Sequence, residues 1–412
     1  MLLAGLPGQM YLGMGDPYQM STNRLRLPSS MASFFSPRCF LHPEDLSKGE
    51  CGMSPQLLKA IELHRDYWER RSMSMPLVSF HIGDTLVSRQ FQAARPLLRD
   101  HVRIGPEMIT VEDFIADYER MWRESEATGQ NGIFTAEPFT GIPWMEAMLG
   151  CAVYGSVGAL LTEPCMSTVE QLQGIRLDAD DPWLGKYLEF TRKLVTVSAG
   201  RFPVGQPIMR GPSDIVGALV GQSTMVLLMA DFPDQMRSVF QKVAEIFLDV
   251  IRRQQREVPA YHGGASIGFY HLWTPGKCIW FQEDLSALLS PDYYSRFLKG
   301  ADELICHDHD YTVVHLHPSS FFLLDQLLGI GGLSAIEVNK DIGGPSVERM
   351  IPVLARIQQE KNLVVWGELS QQDVDTILDE LPDHRVALSI LSPSVERAAG
   401  LMDHVRSRTT RG

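Results

Sequence analysis

The sequence predicts an α/β fold built as a (β/α)8 barrel, and three observations lead there. Short apolar runs of strand length recur along the chain, helix-patterned segments separate them, and no obvious hairpin signal joins two in succession. Eight such runs fit a closed barrel with insertions better than an open doubly wound sheet. No GxGxxG follows the first strand and no GxxxxGK[ST] occurs, and Gly329-Ile-Gly-Gly332 reads as a helix-to-strand turn.

Residues 1–50 are rich in Gly, Pro, Ser and Met with no sustained period, and read as a poorly ordered or irregular arm before a barrel over residues 51–412. A helix starts after Ser54 as N-cap with Pro55 in its first turn. The run Pro76 to Ile82 reads as the first strand, closed by Gly83-Asp84. Val111 to Glu124 is helical, Gly132 to Thr135 a short strand, and Pro143 to Cys151 and Pro182 to Val197 are helices. Phe202 to Met209 reads as a strand and Pro233 to Arg256 as a long helix capped near Asp231. Ala265 to Leu272, Tyr311 to Leu316, Ala335 to Val338, Leu363 to Trp366 and Val386 to Ile390 complete the strands. Helices over Asp292 to Ile305, Val347 to Glu360, Val374 to Leu381 and Ser394 to Val405 lie among them.

A chain of 412 residues with 44% hydrophobic and 21% charged residues can bury a large core and is not disordered in bulk. The net charge of −13 and the lack of a long basic block make nucleic acid and anionic membrane poor partners. An anionic small substrate is still compatible, given a few arginines in a pocket. The six cysteines carry no CxxC pair, so neither a zinc ribbon nor a dense disulfide framework is expected, and the default compartment is a reducing cytoplasm. No apolar run of spanning length occurs, and the first residues make a poor signal peptide.

The most informative stretch is Tyr311 to Ile342. In Val313-Val-His-Leu-His317 two imidazoles share one face of a strand that breaks at Pro318, which suits metal ligation or proton transfer. A polar pair satisfied by water at a strand mouth is the alternative reading. Arg210, at a strand end before Gly211-Pro212, either clamps an anionic substrate or pairs with Asp214. His81 follows the first strand and is a candidate acid or base, or a structural histidine. Glu137 would lie near the pocket, whereas Glu146 reads as a first-turn helix carboxylate. Glu283 and Asp284 look like capping residues, with substrate contact as the lesser reading. Cys306-His-Asp-His-Asp310 precedes a strand on the stability face and reads as surface. Trp273 and Trp280 either shape a lid or pack.

Several segments, in order, resemble the uroporphyrinogen decarboxylase superfamily, which includes the corrinoid and coenzyme M methyltransferases. Gly132-Ile-Phe-Thr-Ala-Glu-Pro138 with the following helix, Gln206-Pro-Ile-Met-Arg-Gly-Pro212 and Phe281-Gln-Glu-Asp-Leu-Ser-Ala-Leu-Leu-Ser-Pro291 are similar to its segments. Val313-Val-His-Leu-His317 stands where the methyltransferases carry His-x-Cys, and Val364-Val-Trp-Gly-Glu-Leu-Ser370 where many members read Gly-Asn-x-(Asp/Ser)-Pro. The Arg-rich opening, the catalytic Tyr and the late Gly-His-Gly of true decarboxylases are missing, so the resemblance is closer to the methyltransferase branch.

The resemblance implies a barrel methyltransferase acting on a methylated small molecule or a corrinoid carrier protein. Decarboxylation of a porphyrinogen-like polycarboxylate, and corrinoid or tetrapyrrole binding without turnover, are the alternatives. His317 stands in for the first thiolate of the zinc-dependent members, and no Cys follows Cys306. In a barrel, Glu337 and Glu368 would project from the next two strand ends. The expected ligand set for Zn or Fe is therefore His315, His317, Glu337 and Glu368, supported by His81, Glu137 and Arg210. A homodimer is a further expectation of the resemblance.

Overall fold

The computed structural model describes residues 54–409. They belong to one unit, Met53–Gly412, and the expected arm over residues 1–50 lies outside the described residues. In chain order the strands are β1 (Leu77–Ile82), β2 (Arg103–Ile104), β3 (Ala152–Ser156), β4 (Ala159–Glu163), β5 (Ala265–Ile267) and β6 (Leu272–Thr274). They continue as β7 (Cys278–Gln282), β8 (Tyr311–Leu316), β9 (Ala335–Lys340), β10 (Asn362–Gly367) and β11 (Val386–Ser392).

The framework is one parallel sheet of six strands in the order β1-β11-β10-β9-β8-β7. Its strands are apolar on both faces because both are covered, as parallel sheets require. On the concave face, Leu77, Cys278, Trp280, Val313, Ala335, Val364 and Ala387 close around Phe269 and Tyr270 as an inner core. On the convex face, Val78, Phe80, Phe281, Val314, Ile336, Val365 and Leu388 pack against the helices in a second, larger core. Inner-face residues of both edge strands, Leu77 of β1 and Trp280 of β7, meet in the one inner core, so the sheet curls around it.

Five of the expected eight parallel strands form as such, with β7 as an unexpected sixth member of the sheet, and the physical reasons for the other three are local. The segments around Gly132–Ala136 and 203–210 run between β1 and β7 but make isolated parallel bridges, Ala136 with Val204, Gln206 with Ile267 and Arg210 with Gln282. Pro203 and Pro207 bring no N–H donor, so no continuous ladder can build there. Ala265 to Leu272 is not a parallel strand. It reverses at Gly268 through His271, whose φ is 55°, so that β5 and β6 pair antiparallel. The place expected for it in the sheet is taken by β7. A hairpin is also present where none was expected: β3 and β4 turn back at Gly158, with φ 88°, and join β2 in an antiparallel sheet.

Most helices follow their sequence signals. Ser54 accepts the Leu57 N–H at 3.1 Å to open Pro55–Trp68, and Asp181 accepts the Trp183 and Leu184 N–H groups to open Pro182–Ser198. The helix Pro233–Glu257 buries Met236, Phe240, Val243, Phe247 and Ile251, one stripe at helical spacing, and Phe232, the neighbour of Asp231, sits at its cap. The expected helix over Asp292 to Ile305 is two, Pro291–Phe297 and Lys299–His307, divided at Leu298. No single helix among the described residues is long and apolar enough to cross a membrane.

Gly205 marks how tightly the inner segment is held. A Cβ there would stand 2.6 Å from the Ser266 carbonyl oxygen and 2.8 Å from the Gly268 nitrogen, both backbone atoms. Gly205→Ala is therefore expected to lose about 1–3 kcal/mol by overpacking, read as a lower urea midpoint with unchanged slope. An unchanged midpoint would show that the backbone gives way there without cost.

Candidate metal centre

Parallel pairing of β8 with β9 sets His315 opposite Glu337, and pairing with β7 sets it opposite Gln282. His317 follows one alternation later, so both imidazoles project from one side, with ring centroids 4.5 Å apart and planes at 90°. Each ring is held through Nδ1. His315 Nδ1 donates to Glu337 Oε2 in a short hydrogen bond, and His317 Nδ1 donates to Asp341 Oδ1 at 2.6 Å. Asn339 Nδ2 donates to the same Asp341 oxygen at 2.5 Å, and Tyr270 Oη donates to Glu337 Oε2 at 2.9 Å.

Both Nε2 atoms then face Asp284, whose Oδ1 lies 3.7 Å from His315 Nε2 and 3.8 Å from His317 Nε2. Asp284 is aimed by the loop after β7: its N–H donates to Asp214 Oδ2 at 3.1 Å and the Leu285 N–H to Asp214 Oδ1 at 2.7 Å. Asp284, His315 and His317 each offer one ligand atom, and these atoms lie within 4.8 Å of one another. Burial opposes a proton on His315. The charge and hydrogen bond of Glu337, helped by Asp284 and Asp341, outweigh that burial and raise its pKa to about 9. A positive charge is thus stabilised at this spot. The fully buried Oε1 of Glu337 has no hydrogen-bond partner.

The other residues singled out from sequence go elsewhere. Glu337 supports His315 from behind instead of facing Asp284. Glu368 is exposed and lines a separate cavity of about 850 Å³ with Lys340, Ser392 and Arg397. His81 is buried, stacks on His271 at 4.9 Å and shares a hydrogen bond with Ser389 Oγ at 3.2 Å; burial lowers its pKa to about 4, so it stays neutral near pH 7. Glu137 is buried with Oε2 unpartnered, and burial pushes its carboxyl well above the ordinary range. Trp273 and Trp280 pack in the interior. In the Cys306–Asp310 run, Asp308 pairs with Arg252 and Asp310 accepts the Lys277 N–H at 3.0 Å, while Cys306 and His309 are buried, against the surface reading.

Arg210 pairs with Glu146, not Asp214, at 2.9 Å. Glu146 is buried and Arg210 half-exposed, so Arg210→Ala strands a carboxylate in the core. The expected cost is about 3 kcal/mol, read as a drop in Tm that Arg210→Lys partly restores. Equal Tm values for the alanine variant and the wild type would mean that Glu146 finds another partner.

The sequence read Asp284 as a capping residue and not as a member of this cluster, and it did not single out Asp341 or Tyr270, which hydrogen-bond to the cluster and to Glu337. The signal for the first was its place two residues beyond a strand end, in a strand (Cys278–Gln282) that the sequence reading did not recognise. Asp341 stands two residues after Asn339 and could have been found by counting inward positions along β9.

The chain matches no protein-family model and no curated protein sequence. Among solved structures it is similar to a methyltransferase from Methanosarcina mazei, with a TM-score of 0.57 and 15% identity, over 85% of this chain and 98% of that one. The likeness is one of fold. It extends over nearly the whole of the methyltransferase, so the curled parallel sheet and its helices are a shared architecture.

Two imidazole nitrogens and one carboxylate oxygen, with both Nδ1 atoms anchored by acids, fit Zn2+ or Fe2+ with positions left for substrate or water. No thiolate is in the group. It does not fit a soft, thiol-rich centre.

Proposed function

We propose that this chain is a methyltransferase-like enzyme of the uroporphyrinogen decarboxylase superfamily, with a divalent cation held by Asp284, His315 and His317. The observation that carries the reading is the doubly anchored histidine pair, each Nδ1 on a carboxylate and each Nε2 turned to Asp284. It sits at the C-terminal end of parallel strands in a fold shared with a methyltransferase. In this reading the segments around 132–136 and 203–210 are the two remaining staves of a (β/α)8 barrel. The partner is a methylated small molecule or a methylated corrinoid on a carrier protein.

Zn2+ or Fe2+, when bound, supplies Lewis acidity to an oxygen or thiol of the substrate. The residues of this chain do the positioning. Glu337 and Asp341 hold the imidazoles in one tautomer and orientation. Arg210, fixed by Glu146 but still reaching solvent, orients an anionic substrate group. Glu137, whose acid form burial favours, offers a hydrogen bond, and neutral His81 accepts or donates one without carrying charge. Decarboxylation of a polycarboxylate is less well supported, since it asks for several free cations and the pocket offers mainly Arg210, already paired.

The test is methyl transfer from methylcobalamin to a panel of small thiol, amine and alcohol acceptors, followed by the corrinoid absorbance. Zinc- or iron-loaded wild type should turn over at least one acceptor, and a His315→Ala/His317→Ala double variant should be slower by at least ~100-fold, about 2.7 kcal/mol of transition-state stabilisation. Equal rates in the two proteins would sink the proposed centre.

A further inference from the structure

Away from the histidines, two cysteines stand in contact. Cys151 leads into β3 and Cys165 follows β4, and the register that pairs Ala152 with Glu163 brings the two ends of the hairpin together. Their sulfurs are 3.6 Å apart. Cys151 is buried and Cys165 exposed. Both are tied to the end of the helix Pro212–Val220: the Cys165 N–H donates to the Leu219 carbonyl at 2.9 Å, and the Cys151 sulfur reaches the Ala218 carbonyl at 3.8 Å. The Cys151 N–H also donates to the Glu146 carbonyl at 2.9 Å, which sets the pair beside the Glu146–Arg210 ion pair.

We propose that Cys151 and Cys165 are a redox-active dithiol, a modification site that exchanges with low-molecular-weight disulfides and closes into a disulfide across the base of the β3–β4 hairpin. The sulfurs need to approach by about 1.5 Å to reach a bond of about 2.05 Å, and one of the two side chains is free to turn at the surface. The asymmetry of the pair assigns the roles. Cys165 accepts a hydrogen bond from the Cys151 thiol, which outweighs its partial burial and lowers its pKa to about 7, a value suited to an attacking thiol. The same contact, together with burial, raises Cys151, so it keeps its proton and waits.

The Cys165 thiolate attacks one sulfur of the small disulfide, forms a mixed disulfide and expels one thiolate. Cys151 then gives its proton to solvent as its sulfur attacks Cys165, and the second small thiolate leaves. Two protein thiols are oxidised and one small disulfide is reduced to two thiols. No other oxidant is required.

Reduced full-length protein would be equilibrated in oxidised and reduced glutathione at a series of ratios, alkylated and cut with chymotrypsin, which separates the two cysteines at Tyr154 and Leu161. Cys151 and Cys165 should lose alkylation together, appear as one cross-linked peptide pair, and recover both thiols in dithiothreitol. Cys151→Ser should stop with one glutathione on Cys165, whereas Cys165→Ser should leave Cys151 unmodified. Independent alkylation of the two wild-type cysteines at every ratio, with no cross-linked pair, overturns the proposal. So does a folded Cys151→Ser protein that takes no glutathione at Cys165. The wild-type cross-link decides the matter even if a variant fails to fold.

Discussion

Asp284→Ala is expected to abolish tight binding of Zn2+ as completely as His315→Ala or His317→Ala, while Glu368→Ala leaves it intact. The three ligand atoms lie within 4.8 Å of one another, whereas Glu368 lines a different cavity with Lys340 and Arg397. Outer-sphere partners alone typically contribute 10–100-fold to metal affinity, so loss of a direct ligand should exceed about 100-fold. Glu337→Gln, which removes the support of His315 without removing a ligand, should fall inside that lesser range. Competition with a chromophoric zinc chelator measures all of these in one format. Undiminished affinity in Asp284→Ala, together with loss in Glu368→Ala, would restore the ligand set expected from sequence and discard Asp284 as a ligand.

Much of the framework was legible because its strands are sharply marked. Val313-Val-His-Leu, Ala335-Ile-Glu-Val and Leu363-Val-Val-Trp are short apolar runs bounded by turns, and they appear as β8, β9 and β10 within a residue or two. What escaped was structure without such a mark. Cys278–Gln282 is just as apolar, but it follows a glycine-rich stretch that itself read as a strand. A turn from Gly268 to His271, with His271 at φ 55°, folds that stretch back on itself instead. The pattern of apolar residues cannot show whether a chain with so little side-chain restriction continues or reverses. The hairpin at Gly158 was lost for a related reason: Ser156-Val157-Gly158 is not one of the dipeptide turns that announce a hairpin.

At the site, the histidines were visible because they sit on a strand whose alternation fixes their direction. Their carboxylate partners were harder to assign. Glu337, expected from sequence as a metal ligand, projects from the strand next to His315, and register decides what it touches: directly opposite, it reaches Nδ1. Asp284 arrives from a loop whose backbone N–H groups donate to the Asp214 carboxylate, a placement that no period in the sequence encodes. Direction along a strand is local information. Distance across a loop is not.

The second large effect concerns pH in metal-free protein. His315 has its pKa raised from 6.5 to about 9: burial alone would lower it, and Glu337 leads the charges that overcome burial. A group raised on folding adds stability that is fully present below pH 6.5 and disappears as pH climbs through about 9. A shift of that size corresponds to about 3 kcal/mol. Asp214 and Asp302, raised by burial to about 8 and about 7, titrate in the same window, so the absolute stability curve mixes several groups. The difference between wild type and Glu337→Gln removes those common contributions. That difference should be largest near pH 6, at about 3 kcal/mol in favour of the wild type, and shrink steadily toward pH 10. Urea titrations across that range, with chelator present, measure it. A difference that stays flat would mean that Glu337 acts on His315 by shape and not by charge. Zinc should reverse the trend in the wild type: the ion takes the place of the proton on Nε2, its binding strengthens as pH rises toward 9, and the loss of stability over that interval is offset.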